Sequence, residues 1–153
     1  MHSRIFQVSL EPIDKSNYIT ESDYWDHWFT HEIADYVNAD CDRDEDVKWL
    51  SDCAKGYAVG SDDNGEYFIV TSKTEYFGQA FERFKSTLDR IKDCTIEDFV
   101  QGFYEMWMLK DAYENRFSFY VDADGELLNF DKFIRLCVTG EKYYIGGIID
   151  YHC

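Results

Sequence analysis

Basic residues are what this chain has fewest of relative to need: fifteen Lys or Arg stand against thirty-one Asp or Glu, a formal net charge of −16. That imbalance opposes contact with phosphate backbones and anionic lipid, so neither direct nucleic-acid binding nor a membrane surface is expected. No run approaches the roughly 18 consecutive apolar residues of a membrane span. The opening Met1-His2-Ser3-Arg4-Ile5-Phe6 has no long apolar core of the signal-peptide kind, and the expected location is the cytoplasm. The sequence contains no Walker lysine, no G-x-G-x-x-G and no G-x-S-x-G, which removes the familiar phosphate loops and the nucleophile elbow. Five cysteines, Cys41, Cys53, Cys94, Cys137 and Cys153, form no Cys-x-x-Cys pair. An odd, scattered set argues against both a disulfide framework and a zinc knuckle, and the expectation is free thiols, with Cys53 and Cys137 on apolar helix faces.

Aromatics, by contrast, are plentiful: twelve Phe, twelve Tyr and four Trp in 153 residues. They supply enough burial for one domain spanning residues 1–153 and argue against disorder. Alternation over Ser3 to Leu10, with Pro12 just beyond, predicts an opening strand at a sheet edge. Thr20 or Ser22 is expected to cap a helix lined by Trp25, Phe29, Ile33, Tyr36 and Val37. A second helix is expected to run to about Ala54, ended by Lys55-Gly56. Tyr57 to Val59 and Tyr67 to Thr71 read as a hairpin joined through Asn64-Gly65.

Phe77, Ala80, Phe81, Phe84, Leu88 and Ile91 carry the cleanest helical period of the chain. Thr95 with Asp98 forms a weak capping box for a further helix to about Ala112, with Ile96, Phe99, Val100, Phe103 and Trp107 as its apolar stripe. These two helices are expected to form an antiparallel pair. Arg116 to Val121 is expected as a strand, Asp122 to Gly125 as a turn, and Asn129 as the cap of a short helix. Tyr143 to Tyr151 reads as a last strand whose Gly146-Gly147 marks a bulge or close backbone approach. The order predicts an α+β fold, a largely antiparallel sheet of about four to five strands packed against four to five helices.

Three groups of residues carry functional expectations. Asp23, His27, His31 and Asp35 are spaced by four, which on a helix would place them in one row able to chelate zinc or another divalent metal, the basis of an alternative reading as a small metal-dependent enzyme. No other cofactor is implied. Asp122, Asp124 and Gly125 resemble the middle of a calcium loop, but Tyr120 and Asp131 fall where such a loop needs its first and last ligands, so an ordinary turn is expected. Tyr18, Tyr24, Trp28, Trp49 and Tyr104 lie off the apolar stripes and could furnish a contact surface, or the oligomer interface of a structural subunit, although half-buried packing is the plainer reading.

The third group is the charge itself. Residues 11–66 hold sixteen acids and four bases, net −12, concentrated in Asn38 to Asp46, NADCDRDED. Twelve charges equal those on roughly 20 Å of duplex DNA. If they share one face, that face could occupy a basic groove and imitate a polyanion. Acidic antirestriction and anti-CRISPR proteins share this composition, an analogy of charge and size. The leading expectation is therefore a binding module whose Asp40, Asp42, Asp44, Glu45 and Asp46 engage a basic protein surface, against the plainer alternative that the charge mainly confers solubility.

Overall fold

Strand β1 (His2–Ser9) lies in the interior of a seven-stranded sheet, not at its edge, because both its sides are paired: antiparallel to the last strand, β7 (Lys142–His152), and parallel to β5 (Tyr120–Ala123). The computed structural model describes residues 2–116 and 118–153. Phe117, within the segment expected as a strand from Arg116, lies outside the described residues, as does Met1. The described part of that strand begins at Tyr120.

After β1 the chain makes a 3-10 turn (Glu21–Tyr24), helix α1 (Trp28–Glu32) and the short strand β2 (Tyr36–Asn38). Helix α2 (Arg43–Asp52) leads to the hairpin β3 (Tyr57–Asp62) and β4 (Gly65–Val70). Next come α3 (Lys73–Lys92), α4 (Ile96–Gln101) and α5 (Glu105–Tyr113). The hairpin of β5 with β6 (Glu126–Asn129), helix α6 (Phe130–Leu136) and β7 complete a single compact α+β fold. The class is the expected one, with a larger sheet, ordered β3-β4-β7-β1-β5-β6, and with β1–β5 its parallel pair.

Strand β7 organises the sheet. One edge pairs with β1 along its length, and the other pairs with β4 at Lys142–Tyr144 and with β2 at Asp150–His152. The register against β1 shifts between Phe6 and Val8, so that Gly146 and Gly147 together oppose Gln7. This is the bulge expected of the glycine pair, and it has a steric reason: a Cβ on Gly147 would lie 2.8 Å from the Ile19 nitrogen. Gln7 Oε1 bridges the site, accepting from the amides of Gly147 and Ile19.

Both sheet faces are covered. On one, Phe6, Val8, Phe68, Val121 and Ile145 pack beneath Leu50 of α2 and Phe130, Phe133 and Ile134 of α6, with Tyr76 and Phe77 from the start of α3. On the other, Ile5, Tyr120, Ile149 and Tyr151 pack beneath Tyr24, Phe29 and Ala34. Asn129 caps α6 through the Asp131 amide, as its position suggested.

Three local expectations fail. The helix expected from Thr20 through Val37 is broken: Thr20 and Asp23 close a capping box on the 3-10 turn, Tyr24 turns inward to give its hydroxyl to Asp122 at 2.8 Å, and Trp25 is left 69% exposed. The helix expected from Ile96 through Ala112 is split at Gly102, whose φ of +77° suits a residue without a Cβ. Its capping box at Thr95 and Asp98 does form. Cys53 caps α2 in solvent, whereas Cys137 is buried as expected.

Candidate protein-binding surface

The acid-rich segment wraps round an edge of the sheet. It leaves one face at Ala34, runs along β7 as β2, and reaches the opposite face as α2. Its carboxylates therefore do not form one face. Those of residues 21–35 accompany the 3-10 turn and α1 on one side, and those of α2 lie on the other, with Asp40 and Asp42 at the edge between them.

Within NADCDRDED the side chains alternate between two roles. Arg43 points inward, its guanidinium donating to the carbonyls of Ile145, at 2.7 Å, and Gly146, and to Glu66 Oε2 at 2.9 Å. Asp46 is also internal, 5% exposed, with Oδ1 accepting from Arg4 Nε at 2.6 Å. Arg4 donates as well to Asp150, whose other oxygen meets His2 Nδ1 at 2.8 Å. Asp46 thus belongs to a structural ion-pair cluster, which corrects its expected place among the partner-contacting acids. Nothing in the local spacing separates it from Asp44; the signal sits on β1, in Arg4.

Asp40, Asp42, Asp44 and Glu45 are exposed, and among the described residues no Lys or Arg forms an ion pair with them. Asp42 caps α2 by accepting from the Glu45 amide, and Asp44 and Glu45 sit in the first turn, where the helix dipole favours negative charge. The four follow one another along the chain from three residues before α2 into its first turn, an acidic strip exposed at the helix start. Other acids are spent locally: Asp62 on Lys142, Asp52 on Lys48, and Glu66 on Arg43. Burial disfavours the Glu66 carboxylate, but the hydrogen bond and charge of Arg43 outweigh it and hold its pKa below the ordinary value.

The expected metal row is not assembled. Asp23 caps Thr20, His27 precedes α1 and accepts from the Phe29 amide through Nδ1, His31 faces Asp26 at 3.5 Å, and Asp35 meets His152 at 3.1 Å. Spacing by four makes a row only on a continuous helix, and this segment has none. Among the described residues no three His, Cys, Asp or Glu side chains converge to hold a metal ion. At the calcium-like turn, Asp122 is buried and occupied by the Tyr24 hydroxyl and the Gly125 amide, which leaves an ordinary hairpin turn through Asp124 and Gly125, both at positive φ.

Three of the thiols are poorly placed for nucleophilic work. Burial, reinforced by the Asp46 charge, pushes Cys41 up to about 11, and burial likewise raises Cys53 and Cys137. Of the aromatics singled out in the sequence, Tyr24 is core, Trp28 and Trp49 are partly exposed, and Tyr104 is 72% exposed. Tyr104 lies in a second surface that periodicity concealed: Ile96, Phe99, Val100 and Trp107, read as an inward stripe, all face solvent. The available sequence signal was Gly102, which interrupts that stripe midway. Among the described residues no helix is long and apolar enough to cross a membrane. Comparison with known proteins finds no matching family model, no similar curated protein and no similar solved structure.

Proposed function

We propose that this chain is a cytoplasmic protein-binding module whose acidic strip engages a basic protein surface, in its strongest form as a nucleic-acid mimic that inhibits a nuclease or DNA-binding protein. The observation that carries the reading is the strip itself: Asp40, Asp42, Asp44 and Glu45 are exposed and free of Lys or Arg counter-ions among the described residues, the last three at the cap and first turn of α2. Unpaired acids have no ion pair of their own to give up on meeting arginine and lysine, and they speed encounter with a cationic partner. Because the wider acidic segment straddles the sheet edge, the mimic presents a narrow ridge and fits a groove better than a flat basic plate. With a Debye length of about 8 Å at physiological salt, only acids close to the ridge contribute strongly to binding.

The experiment is displacement of labelled duplex DNA from a panel of nucleases and DNA-binding proteins. At least one complex is expected to lose its DNA, with an effect that weakens steeply between about 50 and 200 mM salt. The quadruple change Asp40→Asn, Asp42→Asn, Asp44→Asn and Glu45→Gln is expected to abolish it. Displacement that ignores both salt and these substitutions defeats the proposal.

A further inference from the structure

From Phe81 to Tyr113 the chain buries only Thr87 and Ala112. The start of α3 is anchored in the core through Tyr76 and Phe77, but beyond it α3 packs mainly against α5. Helix α4 has no buried residue at all, and Ile96, Phe99 and Val100, at i, i+3 and i+4, are 67–77% exposed. A six-residue helix has too few internal hydrogen bonds to persist in water on its own, and its stability must come from packing. Its apolar side is continuous with α5. Phe99, Tyr104, Met106 and Trp107 line one shallow groove, and Tyr104 and Trp107 also border the next, beside Arg83 and Asp111.

We propose that this α4–α5 face is the interface of a homodimer, covered by the same face of a second copy of the chain. Area is the first reason. Ile96, Phe99, Val100, Tyr104, Met106 and Trp107 are 52–77% exposed. With an aromatic side chain presenting roughly 150–250 Å², these six offer on the order of 800 Å². A stable interface takes about 800 Å² from each partner, and a typical monomer's largest apolar patch is smaller, about 300–600 Å².

Charge is the second reason, and it selects a second copy over other occupants. Residues 81–113 hold seven acids and five bases, so they carry −2 of the −16. The −12 of residues 11–66 lies outside the arm, so contact through it pairs two segments of low net charge. The groove bordered by Tyr104 and Trp107 carries both Arg83 and Asp111. A two-fold axis requires a self-complementary patch, and charges of both signs beside an apolar centre meet that requirement. An anionic bilayer, by contrast, would repel the remaining net charge. Dimerisation through the arm leaves the acidic strips of both copies uncovered, so it is independent of the binding proposed for them.

Sedimentation equilibrium of the full chain over about a hundredfold range of concentration tests the proposal. The expected mass rises from 18.2 kDa towards twice that value. Phe99→Ser and Trp107→Gln are each expected to weaken association about tenfold or more. Both positions face solvent in the protomer, so the circular dichroism spectrum should keep the parent's form, losing at most the signal of the six residues of α4. Val100→Asp, at the most exposed of the six positions, is the second variant should either of these fold poorly. Leu136→Ser, on an exposed residue outside the arm, should leave the mass unchanged. Three results overturn the proposal: a mass of 18.2 kDa at every concentration, a dimer that survives Phe99→Ser and Val100→Asp, or a monomer that co-sediments with phosphatidylcholine vesicles.

Discussion

Arg43 donates to the main-chain carbonyl of Ile145 at 2.7 Å, at the point on β7 where neither β4 nor β2 reaches. The same guanidinium serves Gly146 and Glu66 and lies over the Tyr18 ring, 5.3 Å from its centroid. A side chain here does the work of a missing strand. Arg43→Ala is expected to lower stability by about 2 kcal/mol, the worth of charge-assisted hydrogen bonds left unmade. Arg43→Lys should recover only part, since a point ammonium cannot reproduce the planar fork. Urea unfolding of the three proteins measures the difference.

Arg4 is expected to matter more than its surface-like composition suggests. Asp46 is 5% exposed, and its Oδ2 has no hydrogen-bond partner among the described residues, so Arg4 is its main compensation. Arg4→Met should cost about 3–5 kcal/mol by stranding a buried carboxylate. Adding Asp46→Leu should restore most of that loss. A double-mutant cycle by chemical denaturation gives the coupling, and additive effects would contradict the pairing.

Stability should depend on pH at both ends of the scale. Glu66 has a folded pKa below its ordinary 4.5, so its contribution is complete above that value and disappears as pH falls through the folded one. The gap in urea midpoint between the parent and Glu66→Gln at pH 7 should therefore narrow as pH falls below 4.5 and close once it passes the folded pKa. Tyr24 behaves oppositely: burial first, then the charge and hydrogen bond of Asp122, raise its phenol above the ordinary 10.0. Its contribution is complete below that value and is lost as pH rises beyond it. Absorbance at the tyrosinate band should show the same number of early-titrating groups in the parent and in Tyr24→Phe, with Tyr24 ionising only as the protein unfolds.

The glycine pair in β7 should be unequal. A Cβ on Gly146 meets side-chain atoms, Gln7 Oε1 at 2.5 Å and Ile13 Cδ1 at 2.8 Å, whereas one on Gly147 meets both the nitrogen and the oxygen of the Ile19 backbone, at 2.8 and 2.9 Å. Gly147→Ala is expected to cost about 1–3 kcal/mol and Gly146→Ala less, because backbone yields less readily than a side chain. Thermal melts of the two variants rank them.

What could be read from the residues was whatever depends on near neighbours. The period of Phe77 to Ile91, the Thr95 and Asn129 caps, the β3–β4 hairpin and the bulge at Gly146-Gly147 all follow from interactions within a few positions. What escaped depends on distant ones. Pro12 suggested an edge for β1, but the parallel partner β5 lies more than a hundred residues along. The histidine row dissolved because the Tyr24 hydroxyl is drawn to Asp122. Asp46 left the acidic strip for Arg4, and the stripe of α4 and α5 lies outward, with no residue of α4 buried.

Strand β7 also sets the tempo of folding. β1, β2 and β4 all rest against it, yet it follows every one of them in the chain. Until it is in place, those three strands have open hydrogen-bonding rows and their aromatic undersides lie bare. Assembly of the sheet therefore waits on long-range closure, and the acidic coat that repels other copies during that interval is itself a safeguard against premature clumping.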